Sequence, residues 1–218
     1  MLAELQNHLT NIYRVDPGYD VTDFLVTDPL LAKILGQDSL VPETAETVFL
    51  REEDDGVALS VYLDAELVSR LTRSNPLHRL RADQLNDFWT VLEGISHFNY
   101  IVWNAGQDRS VSLLELEMQA EVDKFVSAWL LALAQEGRAF ADRLHGWLFD
   151  EVSFHPGLDE EQRERYEAAN RYAARFCHGL SQRLHRDNRK GLDELRRFYR
   201  LSRTDKISHI HARAYDRF

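Results

Sequence analysis

The chain has 218 residues, is 44% hydrophobic and 28% charged, and carries a formal net charge of −10. Eleven Phe, eight Tyr and four Trp supply the apolar bulk for a real core and exclude wholesale disorder. The one cysteine, Cys177, excludes an intramolecular disulfide and a zinc site built from several cysteines, and it leads us to expect a reducing, cytoplasmic setting.

The first residues show neither the basic segment nor the apolar run of a secretory signal, so none is expected. No run reaches the roughly 18 apolar residues that a membrane span needs, so no membrane association is expected. In chain order, Leu2, Leu5, Leu9, Ile12 and Tyr13 have the spacing of an amphipathic helix, which Asp16-Pro17-Gly18 ends. Asp28-Pro29 is a helix start, with Asp as N-cap and Pro in the first turn, and Gly36 closes that helix. The period then changes to two. Residues 47–51 and 57–63 read as strands, joined by the turn cluster Glu52-Glu53-Asp54-Asp55-Gly56. Asp64 caps a short helix that Ser74-Asn75-Pro76 breaks.

From residue 83 onward the pattern is helical. One long helix is expected over 84–105. Another opens at the capping box of Ser112 and Glu115 and runs to 134. A shorter one covers 138–149. His155-Pro156-Gly157-Leu158 is a loop, Asp159 caps a helix to 185, and a last helix covers 191–201. The fold class is therefore mainly α. A bundle of about five helices (79–218) is expected to carry an N-terminal segment of short helices and one β-hairpin (1–78), in a single domain.

The helix over 84–105 is apolar around most of its circumference, which marks it as the expected central helix. One stripe departs from this. Asn86, Glu93, His97 and Asn104 fall within about 40° of one another on a 3.6-residue wheel. Glu93 and His97 lie four apart and share a face, and Glu117 and Glu121 lie four apart on the next helix. If the two faces meet, Glu93, His97, Glu117 and Glu121 form a carboxylate–imidazole cluster suited to Fe, Mn or Zn. The arrangement resembles the carboxylate-bridged metal centres of helical bundles. That family places His three residues after Glu on two helices, whereas this chain does so once, at four, so the family's activity is not carried over. The alternative is structural: Glu93 and His97 satisfy each other, and Glu117, sharing a wheel face with Lys124 and Ala128, stays wet.

Charge is unevenly placed. Residues 181–218 hold eleven Arg or Lys against five Asp or Glu, a balance of +6 that leaves −16 for the rest. Arg183, Arg186, Arg189, Lys190, Arg196, Arg197 and Arg200 are candidates for nucleic-acid contact, the alternative being a basic helix docked on the acidic body. Arg171, Arg175 and His178 share a helix face and form a candidate anion or phosphate site. Cys177, among Ala173, Ala174 and Phe176, reads as an inert core thiol, and His209-Ile210-His211 as a solvated tail. Glycine-rich phosphate loops, the serine-hydrolase elbow and the zinc-protease His-Glu-x-x-His are all missing. Three functions are carried forward. The first is a non-catalytic binding or adaptor protein that meets a protein partner, or its own copy, through a helical face. The others are a metal-dependent helical enzyme and a nucleic-acid-binding protein.

Overall fold

The computed structural model describes residues 1–36, 44–53, 56–152, 154 and 157–215. The expected turn at Asp54-Asp55 and the loop residues His155 and Pro156 lie outside them. The architecture is mainly α, with one small sheet. Helix α1 (Leu2–Tyr13) buries Leu2, Leu5, Leu9, Ile12 and Tyr13, the stripe read from the sequence. It ends at Arg14, whose φ of 53° places it in the left-handed region. Strand β1 (Leu25–Val26) and helix α2 (Pro29–Gly36) follow. Asp28 caps α2, its Oδ1 accepting from the Leu30 amide at 2.8 Å.

Strands β2 (Glu46–Glu53) and β3 (Gly56–Leu63) form the expected antiparallel hairpin, with Thr47 opposite Tyr62 and Leu50 opposite Leu59. The short β1, not foreseen, adds to β3 in parallel and makes the order β1-β3-β2. The hairpin packs on helix α4 (Leu85–Ala105), burying Val61 and Leu63, while α3 (Ala65–Arg73), capped by Asp64, flanks it.

Among the described residues six α-helices follow residue 79, one more than the count of about five. They are α4, α5 (Leu113–Gln135), α6 (Arg138–Ala141), α7 (Glu160–Arg186), α8 (Asn188–Tyr199) and α9 (Arg203–Tyr215). The single helix expected over 138–149 is instead α6 and a π-helical turn at Gly146–Asp150. Helix α9 replaces the expected tail: Ile210 is buried in the core, and Lys206 is buried entirely. The polar residues around these two positions blur the apolar period.

The most enclosed helix is α5 rather than α4. From Glu115 to Trp129 every residue except Glu121 is buried. It packs between α4 and α7, α7 meets α8 and α9, and α8 closes against α1. Phe125 and Trp129 of α5, with Phe88 and Phe98 of α4, are among the largest fully or almost fully buried side chains. Burial of such a side chain contributes about 1.5–3 kcal/mol. The cross-helix pairs Glu93–Lys124, Ser96–Asp123 and Tyr100–Glu115 run in opposite directions along the two chains, so α4 and α5 are antiparallel. The short connection between them dictates this arrangement.

Candidate metal centre

The antiparallel packing brings the polar faces of α4 and α5 together inside the protein. Glu93 and His97 rise from α4, one turn apart. Glu117, Glu121 and Lys124 face them from α5. Glu46, at the start of β2, completes the group. One oxygen or nitrogen atom from each of Glu93, His97 and Glu117 lies within 4.8 Å of the other two. An ion centred among three atoms up to 4.8 Å apart would sit up to about 2.8 Å from each. Bonds of about 2.0–2.2 Å therefore need the side chains to close by more than half an ångström.

The imidazole of His97 is held between two carboxylates. Its Nδ1 is 3.4 Å from Glu46 Oε1, and its Nε2 is 3.4 Å from Glu117 Oε2. Neither His97 Nε2 nor Glu46 Oε1, both shielded from solvent, has an aligned hydrogen-bond partner among the described residues. Lys124 takes a different position. Its ammonium donates to Glu93 Oε2 at 2.9 Å and to Glu121 Oε1 at 2.7 Å. Glu121 is thus turned to the lysine, and Glu93 is the carboxylate common to both positions.

Electrostatics follow from burial and from these pairs. Burial opposes charge on His97, but Glu117 and Glu46 outweigh it and raise the imidazole well above its usual range. Burial likewise opposes charge on Lys124, and Glu121 and Glu93 overcome it, so the ammonium stays charged. Glu46 is raised by burial despite His97, and Glu121 by burial despite Lys124. Burial acts on Glu93 in the same sense, yet Lys124 and His97 leave its carboxyl below the ordinary value. Tyr166 of α7 is raised by burial and then by the carboxylates of Glu117, Glu93 and Glu46.

Two features of this centre escaped the sequence reading. Glu117 and Lys124, grouped as a wet face, are both 7% exposed. The wheel correctly put them together but could not show that this side of α5 meets Glu93 and His97 of α4. Glu46 is positioned by Gly94, one residue beyond Glu93. A Cβ there would lie 3.1 Å from Glu46 Cγ and 3.2 Å from Leu63 Cδ2, so the missing side chain is what lets the hairpin approach α4. A glycine inside an otherwise apolar helix was the available signal.

A second buried polar network lies beside the first. Asp123 accepts from Tyr13, from Ser96 at 2.5 Å and from Gln119 at 2.7 Å. Gln119 in turn accepts from the ammonium of Lys206, which also sits 4.6 Å from the Tyr100 ring centre and 4.9 Å from that of Phe198. Burial pushes Asp123 up to about 6 and Lys206 down to about 7. Glu115, half of the expected capping box, accepts from Tyr100 at 2.7 Å, while its backbone amide donates to Ser112 Oγ at 3.3 Å.

The other candidates fall elsewhere. Arg171, Arg175 and His178 line a cleft of about 650 Å³ with Phe149, Phe176 and Ile210. His209 and His211 lie on α9, where His209 Nε2 is 3.3 Å from Glu194. Cys177 is buried, and burial raises its thiol well above the ordinary range. Of the basic residues, Arg183 pairs with Glu194, and Arg196 and Arg200 donate to the backbone of Ile12, Tyr13 and Arg14, tying α8 to α1. Lys190 lies 3.5 Å from Asp187, and Arg186, Arg189 and Arg197 are exposed. Among the described residues no helix is long and apolar enough to cross a membrane. Comparison of the chain with protein-family models, curated proteins and solved structures gives no match.

Proposed function

We propose that this protein is a metalloprotein that holds a divalent ion of the manganese, iron or zinc class between α4 and α5. Glu93, His97 and Glu117 are its ligands, with Glu46 beside His97. The observation that carries this reading is the convergence of those three ligands in a buried box whose charges do not balance. Four carboxylates, from Glu46, Glu93, Glu117 and Glu121, face two cations, His97 and Lys124. Without an ion and with His97 protonated, ionised carboxylates leave −2; a bound divalent ion needs the imidazole neutral, so it takes that proton's place and brings the box to −1. Burying uncompensated charge costs several kcal/mol per ion, so a box of this composition is a poor way to build a core alone.

The donor set, two carboxylates and one imidazole with no thiolate, favours manganese, iron or zinc over soft ions. Three protein ligands leave positions open for water or a substrate, the pattern of a catalytic rather than a purely structural site. Glu93, whose side chain is 23% accessible, is the most open of the set and marks the entry. On this reading the protein is a metal-dependent enzyme of the helical-bundle type.

The test is metal content. Untagged protein, analysed by mass spectrometry of its metals, is expected to carry about one ion per chain. A Glu93→Gln, His97→Ala double variant that keeps its helical spectrum is expected to carry none. Wild-type protein that stays metal-free after exposure to Mn²⁺, Fe²⁺ and Zn²⁺ would remove the reading.

A further inference from the structure

The carboxylate box has two cation positions, and the chain itself fills one of them. Lys124 Nζ lies 2.9 Å from Glu93 and 2.7 Å from Glu121, and its side chain is only 9% accessible. A lysine extended at the surface keeps its ammonium in water; this one is drawn inside, onto the carboxylates of Glu93 and Glu121. Glu93 belongs to both positions. It pairs with Lys124, and it also offers a ligand atom to the group with His97 and Glu117. That is the topology of a carboxylate-bridged pair of cations, with an ammonium in place of one ion.

We propose that Lys124 is a resident counter-cation that keeps the centre mononuclear. It occupies the position between Glu93 and Glu121 and leaves a single divalent ion to Glu93, His97 and Glu117. The inference rests on the metal reading above. The physical reason is competition for the same oxygens. An ammonium and a second divalent ion cannot both occupy the position between Glu93 and Glu121, because each needs the same two oxygens there. A covalently attached cation has no association entropy to lose, so it holds the position against free ions. Glu121 is then the lysine's partner and not a ligand of the ion.

The experiment is a Mn²⁺ titration of metal-stripped full-length protein. Bound ions are counted by mass spectrometry after desalting, and the spin state is read by electron paramagnetic resonance. Wild type is expected to bind one ion with the spectrum of an isolated Mn²⁺. Lys124→Ala, which vacates the position, is expected to show a twofold rise in bound ion and an exchange-coupled spectrum. A Lys124→Ala protein that still binds one ion, or a wild type that binds two, overturns the proposal. A wild type that binds none sinks the metal reading itself, so the two failures are distinct. Should Lys124→Ala not fold, Glu121→Gln gives the second arm: it is expected to keep its one ion at wild-type affinity, and a loss of about tenfold or more overturns the proposal.

Discussion

At the scale of single residues, the protein buries far more polar chemistry than its composition announces. Glu93 and His97 were legible because two polar residues four apart interrupt an apolar helix. Lys206 was not, because it follows Arg203 and Asp205 in what reads as a polar tail. Only α9's docking reveals it as fully buried, hydrogen-bonded to Gln119 and set over two aromatic rings. Glu115, Asp123 and Arg109 act on it, with Tyr100 beside them, and burial still dominates: its pKa falls from 10.5 to about 7. A group with a depressed folded-state pKa contributes its stability above the unfolded value and loses it as pH falls through the folded value. The cost of burying this ammonium therefore grows as pH drops from 10.5 to about 7 and is constant below that. Lys206→Met removes the cost. Its melting temperature relative to wild type is expected to rise as pH falls across that window, measured by thermal denaturation at a series of pH values. A difference that does not change with pH would show that Lys206 titrates as it does in water.

At the scale of elements, most boundaries followed from caps and periodicity. Asp28, Asp64, Ser112 and Asp159 each cap the helix expected of them, and Asp159 forms a full capping box with Gln162. The failures share a cause. The helix expected over 138–149 breaks into α6 and a π-helical turn, and β1 joins the sheet over only two residues, because tertiary contacts decide both and no local signal marks them. The hairpin's place on α4 was equally hidden, since it depends on one glycine. Gly94→Ala pushes a methyl group against Glu46 and Leu63, at separations of 3.1–3.2 Å that require the hairpin to give way. Overpacking of this kind costs typically about 1–3 kcal/mol. The variant is expected to lose stability by that order in urea denaturation, and to hold its metal more weakly as Glu46 shifts from His97. Unchanged stability and affinity would mean that the hairpin does not set the position of Glu46.

At the scale of the whole molecule, an acidic body surrounds a centre of concentrated buried charge, and part of the basic C-terminal region is tied into the fold. Arg183 pairs with Glu194 inside that region, and Arg196 and Arg200 donate to the backbone of Ile12, Tyr13 and Arg14, while Arg186, Arg189 and Arg197 stay exposed. The apolar side of α2 remains on the surface, with Leu30 and Ile34 each more than 70% exposed. We propose that the meeting faces of α4 and α5 hold one divalent ion. Crystals of Mn²⁺-loaded protein, measured at a wavelength that makes manganese scatter anomalously, test this most directly. The account predicts one strong anomalous peak bonded to His97 and to carboxylate oxygens of Glu93 and Glu117, with Lys124 still on Glu121. An ion elsewhere, such as between His209 and His211, or no peak between the two helices, would contradict it.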